Sequence, residues 1–106
     1  MINVKFYHTS KNVPCGFMIE GHSGHGVHGY DIVCSAVSSA AYMTANTILE
    51  ILRIDAAADV HDGMMKIIIP ENSTGKSNDI LLGFELHIKE LAKQYPKNVT
   101  ITTTEV

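Results

Sequence analysis

The chain opens on an alternation. Ile2, Val4 and Phe6 are apolar and Asn3, Lys5 and Tyr7 separate them, a period of two that predicts a β-strand over residues 2–9. Residues 9–14 read as a turn. The run CGFMIEG then resumes an extended apolar stretch and predicts a second strand over residues 15–21, paired with the first as a hairpin. From residue 32 the period changes. Ile32, Val33, Val37, Ala40, Ala41, Ala45, Ile48, Leu49 and Leu52 recur at helical spacing, and small residues fill positions 35–36 and 38–41, which permits close packing. The helix is predicted to start with Asp31 as its N-cap and to run to about residue 51.

Residues 55–60 and 64–69 predict two strands around His61-Asp62-Gly63, where Asp-Gly is a strong two-residue hairpin signal. Pro70 closes the second of them, and a polar loop follows. A second helix is predicted from Ile80 to about Gln94, with Ile80, Leu81, Phe84, Ile88 and Leu91 on one broad face and Pro96 ending it. The closing NVTITTTEV reads as a strand with Val99 and Ile101 facing one way. The order β-β-α-β-β-α-β predicts an α+β fold: one domain over residues 1–106, an antiparallel or mixed sheet, and two helices packed on it.

Composition narrows the class. The 106 residues are 45% hydrophobic, enough for one sizeable core. The formal net charge is −3 and no block of Lys or Arg occurs, so no direct nucleic-acid partner is expected. Two cysteines, Cys15 and Cys34, are too few for a disulfide scaffold in a chain this short. The N-terminus lacks the apolar core of a signal peptide, and no apolar run is expected to reach membrane-spanning length. A reduced, cytoplasmic protein without membrane contact and without a cofactor is the expectation.

The chemistry concentrates in GHSGHGVHG, residues 21–29, which holds four glycines and three histidines and leads into Cys34. With Asp31 as N-cap, Cys34 would be the third helical residue. There the unpaired N–H groups and the helix dipole favour an anion and hence a thiolate. His22, at the end of the predicted second strand, is the best candidate base. It would take the thiol proton and later protonate a leaving amine, while N–H groups of the same turn stabilise an oxyanion. His25 and His28 lie inside the glycine-rich loop, where orientation is poorly fixed. On spacing alone a cysteine near a helix start is more often a small buried hydrophobe, and Asp31 more often a cap alone. Cys15, in an apolar strand with no base nearby in sequence, reads as structural.

Two strings carry a family resemblance. Gly21-His22 and GYDIVCSAVS, residues 29–38, joined by a short glycine-rich loop, resemble the ribosomal-processing cysteine proteases (Prp). The resemblance extends to the N-terminal strands and is compatible with the length and element order of the chain. It implies Cys34 as nucleophile and His22 as its partner in a dyad, and a homodimer. The implied substrate is a bacterial large-subunit ribosomal protein precursor whose N-terminal extension is cut after an apolar, aromatic-containing segment. Gly21, Ser23, Gly24, His25, Gly26, Val27, His28 and Gly29 would then form a mobile loop that covers the peptide. Ser23 and Ser35 stand where the family usually has alanine; both are small and neither removes a catalytic group.

Two other classes compete. His22, His25 and His28 have His-x₂-His-x₂-His spacing, and with Cys34 they form a ligand mixture acceptable to zinc. Alternatively, a non-catalytic ribosome-associated module would use a groove near residues 22–34 to bind a basic tail.

Overall fold

A computed structural model describes the backbone of residues 1–21 and 28–106 and, at the start of the second stretch, side chains from Ile32 onward. Among the described residues, five strands and two long helices follow the expected order: β1 Ile2–His8, β2 Pro14–Glu20, α1 His28–Asn46, β3 Ala57–His61, β4 Met64–Ile68, α2 Asn78–Gln94 and β5 Val99–Glu105. The sheet order is β3-β4-β2-β1-β5. Both predicted hairpins form: β1 pairs antiparallel with β2, and β3 with β4 across Asp62-Gly63, where Gly63 takes φ 75°. β2 joins the hairpins antiparallel to β4, and β5 returns beside β1 in parallel, so the sheet is mixed. The fold is α+β, as expected.

Alternation in the strands builds the core. Phe6 pairs with Phe17 and Phe17 with Ile67, so three large apolar side chains line up across one sheet face. Phe84 of α2 sits on that row, its ring 5.7 Å from Phe6 and 4.6 Å from Phe17. The α1 stripe of Val33, Val37, Ala41 and Ala45 joins the same cluster of buried residues. Contrary to the expectation that no apolar run reaches membrane-spanning length, the span Ile32–Ile51 would pass by length and composition for a membrane-crossing helix, with mean hydropathy 1.3. In the fold its apolar stripe lies in the core.

The end of α1 also departs from expectation. Thr44 and Thr47 donate their hydroxyls to the carbonyls of Ala40 and Met43, each at 2.8 Å, and such back-bonding bends helices. The chain widens into a π-turn over Thr47–Ile51, closed by the Leu52 N–H on the Thr47 carbonyl. At the far end of β1, His8 Nε2 lies 3.0 Å from Glu85 Oε1 and Lys89 Nζ donates to Glu85 Oε2 at 2.9 Å.

Candidate active site

The start of α1 requires a correction. The helix begins at His28, so Asp31 is its fourth residue and not its N-cap. Aspartate is favourable throughout a first helical turn as well as at the cap, so residue type alone did not separate the two positions. His28 and Gly29, assigned from sequence to the loop, belong to the helix. His22, Ser23, Gly24, His25, Gly26 and Val27 lie outside the described residues, and with them the proposed base, most of the loop and two of the four candidate zinc ligands.

The correction moves Cys34 from the third helical position to the seventh. The dipole's effect falls off within the first turn. A seventh-residue N–H is also bonded within the helix, to the carbonyl four residues back. Thiolate stabilisation by the helix end, and an oxyanion donor from the amide of Cys34, are therefore both weaker than the sequence implied.

Cys34 is buried, 9% exposed, yet it lines a pocket of about 100 Å³ at the end of the sheet. Val37, Ser38 and Tyr42 continue the α1 wall one to two turns on. Ile19, Glu20 and Gly21 at the end of β2 form the floor, and the β3–β4 turn with His61, Gly63 and Met64 closes the side. The register explains this meeting. Glu20 pairs with Met64 and Ile19 with Met65, so the end of β2 lies directly beside the hairpin turn.

Gly21 is fixed more tightly than any loop residue need be. Its N–H donates to the Gly63 carbonyl at 3.0 Å. Its φ is +134°, and a Cβ there would lie 2.6 Å from the Met1 carbonyl oxygen. Only glycine fits a backbone wedged in this way. The chain therefore leaves the sheet for residue 22 from an anchored point on the rim of the Cys34 pocket.

His61 is a site residue that sequence reasoning passed over. It was assigned to the turn, but it is the last residue of β3. Its Nε2 lies 2.8 Å from Asp59 Oδ1, and both side chains are more than half exposed. Its partner two residues back on the same strand was the available signal, but nothing local showed that this turn reaches α1. Cys15 lies in the core of β2, where burial pushes its thiol up from the ordinary cysteine value. Tyr42 is half exposed on the pocket wall. Among the described residues no group of three His, Cys, Asp or Glu is placed to hold a metal ion.

Comparison with known proteins gives one family. The model of the family described as cysteine protease Prp matches residues 1–100. The ribosomal processing cysteine protease Prp of Staphylococcus aureus is 23% identical over 103 residues, covering 95% of this chain and 97% of the relative. A crystal structure of the S. aureus protease in complex with a substrate peptide superposes with a TM-score of 0.87 at 20% identity, covering 98% of this chain and 100% of that one. The Streptococcus mutans protein SMU.848 superposes with a TM-score of 0.82 at 29% identity, covering 100% of this chain and 96% of that one.

Proposed function

This chain belongs to the Prp family of cysteine proteases, and we propose on that premise that it removes the N-terminal extension of a bacterial large-subunit ribosomal protein. Cys34 is the nucleophile and His22 its acid–base partner. The observation that carries the assignment is the pocket: Gly21, one residue before His22, lines the same small cavity as Cys34 and is held there by Gly63. Consecutive Cα atoms are about 3.8 Å apart, so a histidine in position 22 starts within side-chain reach of that cavity. Cys15 offers no rival, since it is buried in the sheet and absent from the pocket wall.

The chemistry follows from the two groups. His22 accepts the thiol proton, and the thiolate attacks the carbonyl carbon of the scissile bond. The tetrahedral intermediate collapses to a thioester as the imidazolium protonates the leaving amine. Water, deprotonated by the imidazole, then hydrolyses the thioester and restores the thiol. The same reading carries a homodimer and a cytoplasmic location, with the precursor's extension as the partner.

The test uses a peptide spanning the extension and the first residues of the mature ribosomal protein. The unmodified protein yields two fragments. Cys34→Ser binds the peptide and leaves it whole, and His22→Ala cuts it on the order of a hundredfold or more slower, the usual worth of a positioned acid–base group. Cleavage by Cys34→Ser at the unmodified rate, or no cleavage by the unmodified protein, would overturn the assignment.

A further inference from the structure

We propose that the outer edge of β3 is the track on which the substrate's main chain is laid: an extended peptide adds to the sheet as a sixth strand and is led past His61 to Cys34. The inference rests on Cys34 being the nucleophile of a peptide-cutting enzyme, and it goes further by naming where the peptide lies.

The backbone of β3 provides the track. β3 is an edge strand, last in the sheet beside β4, and all five of its residues are exposed. His61 and Met64 flank a two-residue turn and pair with each other. In such a hairpin the flanking pair is hydrogen-bonded, and bonded pairs alternate with non-bonded ones along the ladder. The bonded pairs are then His61 with Met64, Asp59 with Lys66 and Ala57 with Ile68. Ala58 and Val60 are left with N–H and C=O groups directed outward. Among the described residues no turn, loop or cap hydrogen bond uses either of them.

Natural edge strands are commonly protected by Lys, Pro or a bulge. The outward-directed positions of β3 are an alanine and a valine, and its ladder with β4 is regular.

Continuity with the cysteine names the occupant. His61 ends β3 and lines the Cys34 pocket, and Val60 pairs with Met65, another residue of that pocket. A strand bonded to Ala58 and Val60 would run toward the end of the sheet where His61 meets that pocket. An extended segment is what a protease needs, because the scissile bond must be presented free of its own secondary structure. Strand addition takes its affinity from main-chain hydrogen bonds and its selectivity from alternate side chains. Val60 is 51% exposed and Tyr42 is equally so on the opposite wall, which suits an apolar, aromatic-containing segment. Since the recognised residues precede the cut and Cys34 lies at the C-terminal end of β3, the peptide runs parallel to β3.

The test pairs a protein variant with a modified substrate. Val60→Pro removes one outward N–H and none of the bonds to β4, a position where edge strands tolerate proline. It is expected to raise KM for the peptide roughly tenfold, with the rate of Cys34 alkylation by iodoacetamide unchanged. Where the variant fails to fold, substrate peptides N-methylated one amide at a time decide. Loss of cleavage at every second amide before the cut supports the track, and uniform tolerance overturns it. Cleavage by Val60→Pro with an unchanged KM also overturns it while leaving the protease reading standing. Failure of the unmodified protein to cut the peptide removes both. Protection of the Ala58 and Val60 amides that grows with protein concentration and without peptide would assign the edge to a second copy of the chain and overturn the inference.

Discussion

Gly21→Ala is the perturbation whose cost the structure specifies best. An alanine Cβ would stand 2.6 Å from the Met1 carbonyl oxygen and 3.0 Å from the Ile2 Cα, at a φ of +134°. Backbone strain of that kind costs roughly 1–3 kcal/mol, and crowding a packed position adds roughly 1–3 kcal/mol. The obstacle is main chain and cannot rotate away. Met1 is 55% exposed, so the start of β1 can yield in part and bring the total toward the lower end, about 2–3 kcal/mol. A chain of this length has a total stability of roughly 5–15 kcal/mol, so the variant folds. What relief the start of β1 does not supply comes from pushing the end of β2 off β1 and toward the β3–β4 turn on its other side, which distorts the 3.0 Å bond from Gly21 to Gly63 and shifts the origin of residue 22. Misplacing a catalytic group by about 1 Å can cost on the order of a hundredfold. Urea denaturation and peptide cleavage on the same preparation give both readouts. Gly21→Ala should lose about 2–3 kcal/mol and on the order of a hundredfold in kcat/KM. A variant that loses stability but cleaves normally would refute the argument that Gly21 anchors the proposed catalytic histidine. One that loses neither would refute the geometry itself.

Three further outcomes are expected. Burial would raise the Glu85 carboxyl, but the hydrogen bonds and charges of Lys89 and His8 outweigh it and hold it below the ordinary value. That stability is present above the unfolded-state pKa of about 4.3 and is lost as pH falls through the lower folded value; urea midpoints should therefore drop on acidification less steeply in Glu85→Gln, and identical slopes would contradict this. Phe84→Ala removes the ring packed edge-to-face on Phe6 and tilted against Phe17 and should cost about 3–5 kcal/mol in the same denaturation assay; a loss under about 1 kcal/mol would place α2 elsewhere. Cys15, buried and with its thiol raised, should stay unlabelled by iodoacetamide in the folded protein at neutral pH, and peptide mapping that finds it modified would contradict its burial.

The elements themselves were legible because their signals are local. The alternation in β1, the Asp62-Gly63 turn and the apolar face of α2 each depend on neighbours within a few residues, and each forms as expected. The parallel return of β5 to β1 joins segments almost the whole chain apart, and no local pattern records such a pairing. Asp31 was misread because cap and first turn favour the same side chain. That four-residue shift moved Cys34 away from the helix end, where a cause for its reactivity had been expected. His61 escaped notice for the reverse reason: its neighbours describe a hairpin, and its place beside Cys34 comes from the pairing of β2 with β4.

With the helix end weakened as a source of activation, the proposed function stands on an imidazole from residue 22 meeting the sulfur of Cys34. The pH profile of Cys34 alkylation, followed by intact mass with and without His22→Ala, measures that directly. A rate that levels off well below the ordinary cysteine pKa of about 8.5, and that moves up toward that value in the variant, is the predicted result. Superimposable profiles from the two proteins would contradict the dyad.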